Sequence, residues 1–530
     1  MNISPLYSTL VFRLCLFLPA PLVLFSQIQQ PNRFEKERKY SDEDLTIVPM
    51  ATDGLALVFE SKKFKSSNQT WEITLLDTIL QKVGSLELEI EQRNRLIGYD
   101  HTVGMVYLLF KKDDTKGEMY LISIDLKTKE TVGYEIKPEL NFQLTQFSKV
   151  GKNFVFGGYV NFEPAVLLYN SDNNNIKILP GFFQKETELI DVRVNKNQTF
   201  NALTIDRGDR DTQKIIFRTF DSSGKQLLED ITDIEGDITL QNSISSTLDR
   251  EDLMIIGSFG KRKTKQASGF YSLQVNPFEE QKINRVYFGQ LNHYLDYLKP
   301  KKAARIKLKS LNAIEGGQIP DLTNYVMPFK IVEHTNGFLL LAESYTASSS
   351  NQQSVYSPYS NYPYYYSPYG YGGYYPGNRV YNQNTGYSSD NNMPNTQDIK
   401  TVQSVVLAFD AKGKIMMDFS QKLSEIKMST LDQVSEFLLC EDSIHFLYKK
   451  ESELKIKTID LDSGEFSERE EKIKLNDVYD EIRMERSQEG SVKHWFNRAF
   501  YVWGYQSIRN NSKGQVGNRE VFYINRIVVR

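Results

Sequence analysis

The residue types that carry out most enzyme chemistry are sparse in this chain and lie far apart. The five histidines are His101, His293, His334, His445 and His494, and no two have the spacing of a metal-binding pair. No G-x-S-x-G nucleophile elbow, P-loop or dinucleotide-binding glycine fingerprint occurs. We therefore predict no catalytic residues, no metal and no cofactor.

One acidic cluster and one cysteine are the remaining candidates for chemistry. The cluster Asp206-Arg207-Gly208-Asp209-Arg210-Asp211 offers carboxylates for a weak Ca²⁺ site, or an exposed Arg-Gly-Asp tripeptide. Its two arginines alternate with the acids and can neutralise them, so we expect neither role. Cys440 follows an apolar run and is expected to be a small buried side chain rather than a nucleophile.

The composition is that of a folded protein with nearly balanced charge. The chain has 530 residues, of which 40% are hydrophobic and 25% charged, and its formal net charge is −3. These values exclude collagen-like, intrinsically disordered and multi-span membrane proteins.

The N-terminus has the form of an export signal. Arg13 precedes an unbroken small-or-apolar run from Leu14 to Phe25, which is shorter than the ~20 residues of a membrane span and typical of a secretory signal. We predict a signal peptide over residues 1–26, cleavage after Ser26, and a polar N-terminal segment over residues 27–44. The alternative is an uncleaved N-terminal anchor. No later segment is apolar enough to span a bilayer.

The cysteines support this compartment. Cys15 lies inside the apolar run, so cleavage leaves Cys440 without a disulfide partner in the same chain. A large exported chain without disulfides fits the periplasm, cell surface or outer membrane of a Gram-negative bacterium. Further apolar residues follow Cys15, and we therefore expect no lipid anchor on it.

Two short patterns recur along the chain. In the first, an apolar strand ends in Asp or Asn and a tight turn follows, as at Asp125, Asp221, Asp410 and Asp460. The carboxylate accepts hydrogen bonds from backbone N–H groups about two residues further on, and glycine often closes the turn. In the second pattern a turn precedes an apolar strand, as at Asp53-Gly54.

The two patterns pair eight times, at steps of about 50 residues with two long intervals. Each step holds four short strands, which is typical of a β-propeller blade. We predict an all-β fold: a single β-propeller over residues 45–530 with eight four-stranded blades, its last blade completed by the strand Thr46 to Met50. Seven blades with a capping element, or a β-sandwich pair or β-helix, are the alternatives.

The two long intervals predict two insertions. A short, basic helical insertion over residues 289–324 would connect blades five and six. Its helical spacing is carried by Leu291, Tyr294, Leu295 and Leu298, with a basic segment after Pro300. A loop rich in Tyr, Ser, Pro and Gly over residues 346–401 would lie within blade six, and its composition favours disorder.

Both insertions should leave the propeller on one face, which we take as the candidate binding surface. Basic side chains there would attract an anionic partner, and tyrosines offer large contact areas with few rotors. The candidate partner-binding residues are Tyr356, Tyr359, Tyr362, Tyr364, Tyr365, Tyr366, Tyr369, Lys301, Lys302, Arg305, Lys261, Arg262 and Lys263. Simple disorder of the loop and ordinary solvated charge are the alternatives.

The repeated apolar strand, Asp and x-x-Gly turn resembles the exported eight-bladed propellers of the quinoprotein-like and outer-membrane-assembly scaffold types. The resemblance is architectural and covers nearly all of the mature chain. The Trp-docking motif of quinoprotein blades is absent, since the chain has only Trp71, Trp495 and Trp503. The assembly scaffolds are usually lipid-anchored, which is not expected here.

These observations predict a non-catalytic exported propeller that acts as a protein-interaction scaffold in a bacterial cell envelope. It would bind a protein partner through the face that carries the two insertions. The alternative is a glycan-binding or glycan-processing propeller that uses the Tyr-rich loop. A nucleic acid partner is not expected, because the chain carries an export signal.

Overall fold

A computed structural model describes most of the chain downstream of the predicted signal peptide. The described residues are 28–38, 45–65, 68–112, 117–208, 213–234, 236–246, 253–262, 264, 266–276, 278–279, 281–347, 378–379, 399–424, 426–428, 432–486, 490–512 and 518–530. The predicted signal peptide, Lys263 and the tyrosines from Tyr356 to Tyr369 lie outside these ranges.

Short strands make up nearly all of the regular structure. In chain order they are β1 (Ile28–Glu37), β2 (Leu45–Pro49), β3 (Leu55–Lys65), β4 (Asn68–Leu76), β5 (Lys82–Glu91), β6 (Asn94–Thr102), β7 (Met105–Lys112), β8 (Met119–Asp125), β9 (Thr131–Ile136), β10 (Phe142–Val150), β11 (Asn153–Val160), β12 (Glu163–Asn170), β13 (Asn175–Ile178), β14 (Thr187–Val194), β15 (Phe200–Asp206), β16 (Gln213–Phe220), β17 (Gln226–Ile234), β18 (Ile238–Ser245), β19 (Leu253–Lys261), β20 (Gly269–Val275) and β21 (Ile283–Tyr287). The second half continues with β22 (Tyr325–His334), β23 (Gly337–Ala347), β24 (Asn378–Arg379), β25 (Ile399–Asp410), β26 (Ile415–Lys422), β27 (Lys427–Met428), β28 (Ser435–Leu439), β29 (Ser443–Lys450), β30 (Glu453–Asp460), β31 (Phe466–Lys472), β32 (Asp480–Glu485), β33 (Val492–Phe496), β34 (Ala499–Asn510) and β35 (Asn518–Val529).

The strands form eight antiparallel sheets, each a blade with strands A to D from the inside outwards. Strands β2–β5, β6–β9, β10–β13, β14–β17 and β18–β21 form blades one to five in order. Blade six is β22-β23-β25-β26 and blade seven is β28-β29-β30-β31, while blade eight is β32 with β33, then β34, β35 and β1. The protein is therefore an eight-bladed β-propeller, as the repeat predicts, and not a seven-bladed one.

Ring closure differs from the sequence-based expectation. The strand around Thr46 belongs to β2, the innermost strand of blade one. The last blade is instead completed by β1, which pairs antiparallel with β35 from Ile28 opposite Val529 to Glu37 opposite Val521. The polar composition of residues 27–44 did not indicate strand β1, because an outermost strand needs little apolar surface.

The hydrophobic core is divided among the interfaces between neighbouring blades. Val48 and Val58 of blade one, for example, pack in one cluster with Val106 and Leu108 of blade two. Trp71 and Phe110 meet edge to face across the same interface, with ring centroids 5.1 Å apart. Each blade thus buries its faces only against its neighbours, which is how a propeller forms a core without a disulfide.

The inner strands carry a repeated irregularity. Register shifts interrupt the pairing of the A and B strands in blades two to six and in blade eight, at Leu96/Gly98, Leu144/Gln146, Leu189/Asp191, Leu240/Ser243, Pro328/Lys330 and Ile482/Met484. Such bulges bend a strand and increase its twist.

The insertion between blades five and six contains one α-helix, but not where the apolar spacing predicted it. Leu291, Tyr294 and Leu295 lie in irregular turns with their side chains buried in the core. Helix α1 is Pro300–Glu315, so Pro300 stands at the start of the helix rather than at its end. Proline is favourable there, since the first turn has no intrahelical acceptor for its missing N–H. No helix in the described ranges is long and apolar enough to cross a membrane.

Candidate functional site

The connections between blades leave the ring on two faces. We call the side of the B-to-C and D-to-A connections the loop face, and the side of the A-to-B and C-to-D turns the turn face. The connection from Tyr287 to Tyr325 and the one from Ala347 to Ile399 both leave from the loop face. Between the latter ends, β24 pairs with the inner strand β10 of blade three.

The helical insertion is fixed firmly to blades five and six. Tyr294 is fully buried and stacks on Phe288 with centroids 4.1 Å apart. Its hydroxyl lies 3.1 Å from Ser344 Oγ and accepts a hydrogen bond of 2.9 Å from Asn324 Nδ2. Burial raises the pKa of Tyr294 and keeps its phenol neutral. The helix therefore has one defined position on the ring.

Two further contacts fix the start of the insertion. The carboxylate of Asp418 accepts hydrogen bonds from the backbone N–H groups of Asn292, at 2.9 Å, and His293, at 2.6 Å. A Cβ placed on Gly289 would lie within 2.2 Å of Ser310 Oγ on the helix, so this close approach requires glycine. The insertion is a structured part of the loop face.

The basic candidates on the helix are solvent-exposed. Lys301, Lys302 and Arg305 lie in its first two turns, and no ion pair joins them to a carboxylate in the described part of the chain. The N-terminal end of a helix already carries partial positive charge, so three cations there reinforce the potential instead of offsetting it. This end of α1 is therefore a cationic element of the loop face.

The second basic candidate segment lies beside the same insertion. Lys261 is exposed and Arg262 is half-buried, and the backbone N–H of Arg262 donates to the carbonyl of Asp237. Lys309 of the helix pairs with Asp321 at 2.9 Å, and the hydrogen bond from Lys309, with a further effect from Lys261, lowers the pKa of Asp321. Lys261 and the second half of α1 are thus near the same carboxylate, that of Asp321.

A groove of about 840 Å³ opens on the loop face between blades six and seven, beneath the start of α1. Leu298 and Pro300 line it from the insertion, and Gln421, Lys457 and Phe466 line it from the two blades. The sequence offered no sign of this groove, because its walls come from three segments that are distant in the chain.

Several carboxylates near the inner strands are hydrogen-bond acceptors between blades. Asp53 Oδ2 accepts a hydrogen bond from the N–H of Gly104, and Asp100 Oδ2 accepts one from the N–H of Lys149. Asp191 Oδ2 accepts one from the N–H of Ser245. The Glu343 carboxylate accepts hydrogen bonds from the N–H groups of Val434 and Ser435. Each bond links one blade to the next. These carboxylates therefore contribute to holding neighbouring blades together.

The acidic cluster considered, and not expected, as a weak calcium site is only partly described. Asp206 accepts hydrogen bonds from Gln184 Nε2 and from the N–H of Gly208, and Arg207 pairs with Glu188 at 2.6 Å. Residues 209–212 lie outside the described ranges. Among the residues that the structure covers, no three His, Cys, Asp or Glu side chains come close enough to hold a metal ion.

A serine–histidine pair occurs in blade seven, and the sequence analysis did not identify it. Ser443 Oγ lies 3.0 Å from His445 Nε2, and His445 Nδ1 lies 2.9 Å from Thr458 Oγ1. The spacing resembles a nucleophile with its base, but burial, together with Arg469 and Arg498, lowers the pKa of His445 to about 4. A serine hydrolase needs a stable imidazolium, which these arginines oppose. His445 is better suited to linking its strand β29 to Thr458 of β30.

Comparisons with known proteins identify no family. No family model and no curated protein matches this chain. Among solved structures, a polysaccharide lyase matches with 8% identity over 94% of this chain and 99% of its own, at a TM-score of 0.38. The β-propeller domain of the Trilobed protease from Pyrococcus furiosus matches with 11% identity over 81% of this chain and 98% of its own, at 0.33. A dihydro-heme d1 dehydrogenase matches with 12% identity over 94% and 78%, at 0.37. At these values the likenesses carry no information on activity or ligand.

Proposed function

We propose that this propeller is a non-catalytic binding scaffold that holds a protein partner against its loop face. The supporting observation is the fixed position of α1, whose first two turns keep Lys301, Lys302 and Arg305 exposed on the loop face. A rigid cationic surface favours a partner with an acidic patch, since opposite potentials steer the encounter. A helix in a fixed position also loses little backbone freedom on binding.

The chemistry of the ring is consistent with a non-catalytic role. The inner carboxylates Asp53, Asp100, Asp191 and Glu343 are occupied in bonds between blades. The imidazole of His445 is held in an environment that disfavours its protonation.

We further propose that the protein acts in a bacterial cell envelope after export, with the tyrosines of the blade-six loop as a second contact.

A charge-reversal pull-down tests the proposed surface. The variant Lys301→Glu, Lys302→Glu, Arg305→Glu should lose its partner from envelope extracts, as measured by quantitative mass spectrometry. The matched control reverses three exposed lysines on the turn face, Lys127, Lys225 and Lys412, and should retain the partner. Binding should also weaken as NaCl rises, because salt screens exposed charges. An unchanged partner profile for the helix variant contradicts the proposal.

Deletion of residues 348–398, bridged by a short Gly-Ser linker, separates the loop from the helix. Loss of the partner in this variant with retention in the helix variant would assign binding to the loop alone. Loss in both would make the contact composite.

A further inference from the structure

The groove between α1 and blades six and seven has the size of a ligand site and not of a packing defect. Its volume of about 840 Å³ lies within the range typical of small-molecule pockets. Its walls come from the start of the rigid helical insertion and from the outer strands β26, β30 and β31. The groove is therefore preformed, and a ligand would not need to open it.

The charged groups of the groove are nearly balanced. Lys422, Lys455, Lys457 and Arg469 line it together with Asp296, Glu468 and Glu470. Lys455 is already paired with Glu453, at 2.7 Å, and with Glu470, at 2.6 Å. A polyanion would gain little here, because Lys455, Lys457 and Arg469 each have an acid close by. The lining instead offers both donors and acceptors to an uncharged polar ligand.

Lys457 is the buried cation of this lining. The residue is 8% exposed, and its Nζ donates to the carbonyl of Ser420 at 2.8 Å. Glu468 lies directly opposite it in the strand register. The ammonium thus has one neutral partner and a neighbouring carboxylate, which leaves donors for a hydroxyl group in the groove.

Gln421 adds an unsatisfied amide. The residue is 4% exposed and lines the groove, and its Oε1 is buried without a hydrogen-bond partner. A buried acceptor without a donor is costly and unusual, so it suggests a missing partner. The terminal torsion of a glutamine side chain has no single preferred angle. Rotation about it would turn either the amide oxygen or the amide nitrogen toward the groove. Other residues have such orphaned oxygens, but Gln421 has one beside an open groove.

Phe466 supplies an aromatic surface at the rim. It is 63% exposed, which is high for a phenylalanine, and the ammonium of Lys457 lies 4.3 Å from its ring centroid. The ammonium of Lys457 therefore covers one face of the Phe466 ring, and the rest of the ring is open to solvent. An exposed aromatic ring beside mixed donors and acceptors suits a ligand with apolar C–H faces and hydroxyl edges.

We propose that this groove binds an uncharged oligosaccharide. Its C–H face would stack on Phe466, one hydroxyl would donate to Gln421 or Glu468, and another would accept from Lys457. A hydroxyl both donates and accepts, which matches this lining better than a polyanion does. The proposal goes beyond the protein scaffold proposed above and does not depend on it.

Titration of the whole mature chain with five probes tests the proposal: cellohexaose, xylohexaose, mannohexaose, maltohexaose and chitohexaose, by isothermal calorimetry. At least one should bind, and Phe466→Ala and Gln421→Met should each weaken that binding at least tenfold. Two matched controls should bind as the unaltered chain does. Leu227→Ala removes an exposed apolar side chain from the outer strand of blade four, and Gln213→Met removes another buried orphaned amide.

Thermal unfolding keeps the test independent of folding defects. Gln421→Met should unfold at or above the temperature of the unaltered chain, because it replaces an unsatisfied buried oxygen with an apolar group. Three results would overturn the proposal: no binding of any probe at 10 mM, binding that both groove variants retain, or random-display peptides that occupy the groove in its place. Loss of the protein partner in the helix charge-reversal variant would leave this titration unaffected.

Discussion

Glu343 of blade six and Ser435 of blade seven form one of the closest polar contacts between blades. A carboxylate oxygen of Glu343 accepts 2.7 Å and 2.9 Å hydrogen bonds from the backbone N–H and hydroxyl of Ser435. The N–H of Val434 donates to the same carboxylate at 3.1 Å. Burial raises the pKa of Glu343 to about 7, although these donors oppose the shift. This junction is thus held by a group that titrates near neutral pH.

Removal of this carboxylate should destabilise the ring. Glu343→Ala leaves the N–H groups of Val434 and Ser435 without their acceptor, while the Ser435 hydroxyl keeps Ser404 Oγ at 2.7 Å. We expect the free energy of unfolding to fall by about 3 kcal/mol. Urea denaturation followed by circular dichroism measures this. Glu343→Gln keeps an acceptor and should lose clearly less. Equal losses of stability in the two variants would mean that a neutral acceptor of the same volume cannot replace the carboxylate, and would contradict this prediction.

The same group predicts a pH dependence. The pKa of Glu343 is higher in the folded chain than in the unfolded chain, so the folded state binds the proton more tightly. Its contribution to stability is complete below about pH 4.5 and is lost as the pH rises through about 7. The free energy of unfolding of the native chain, relative to Glu343→Gln, should fall across that window. A difference that stays constant from pH 4.5 to pH 8 contradicts this assignment.

The local turn chemistry was predictable from the sequence. The carboxylates of Asp77, Asp125, Asp221, Asp410 and Asp460 each accept a hydrogen bond from the N–H two residues further on. Such a turn depends on a few neighbouring residues, so its signal survives in the sequence. Asn170 and Asn276 form the corresponding turns of blades three and five, so the turn marks seven blades. Blade eight has no such turn, because its outermost strand β1 comes from the N-terminal end of the chain.

Long-range pairings were not predictable in the same way. The polar composition of β1 gave no sign that Arg33 would lie against β35, and the spacing of Leu291 and Tyr294 could not distinguish a helix from turns buried in a core. Glu343 looked like an ordinary strand residue, since its donors are about 90 residues away in the chain. The groove escaped detection for the same reason. Sequence periodicity reports which face of a strand is buried, but not which distant segment covers it.

The closing strand should be sensitive at Arg33. Its guanidinium donates hydrogen bonds to Gln506 Oε1 at 2.8 Å, to Asn525 Oδ1 at 3.0 Å and to the carbonyl of Lys474 at 3.1 Å. The guanidinium carbon also lies 4.4 Å from the ring centroid of Tyr523. We expect Arg33→Ala to lower the free energy of unfolding by about 3 kcal/mol.

The matched control for Arg33 is Arg285→Ala, which removes an exposed arginine from the outermost strand of blade five. It should change stability by less than about 0.5 kcal/mol. Limited proteolysis gives a second measurement, because loosening of β1 should expose the N-terminal strand of Arg33→Ala to cleavage first. If both variants behave alike in denaturation and in proteolysis, the buried polar contacts of Arg33 do not hold the ring closed.

His445 should remain neutral well below the usual range of histidine. Burial, Arg469 and Arg498 lower its pKa to about 4, so the unfolded chain binds the proton more tightly than the folded chain. Its contribution to stability is complete above about pH 6.5 and is lost as the pH falls toward 4. Imidazole NMR spectra, assigned by comparison with His445→Gln, should show this titration near pH 4. A midpoint near 6.5 would restore the Ser443–His445 pair as a candidate base and nucleophile.

Export and ring closure make a joint prediction about the mature N-terminus. The closing strand begins at Ile28, so cleavage after Ser26 leaves all of its pairing with β35 intact, whereas cleavage beyond Glu37 removes the outermost strand of blade eight. Expression of the full sequence in a Gram-negative host, followed by intact mass measurement of the periplasmic fraction, should give a chain that starts at Gln27.

Leu16→Arg interrupts the apolar run and should leave the chain unprocessed, while Ser4→Arg, outside that run, should leave processing unchanged. A mature chain that starts beyond Glu37 would contradict this mode of closure, and an unprocessed chain in the membrane fraction would favour the uncleaved anchor.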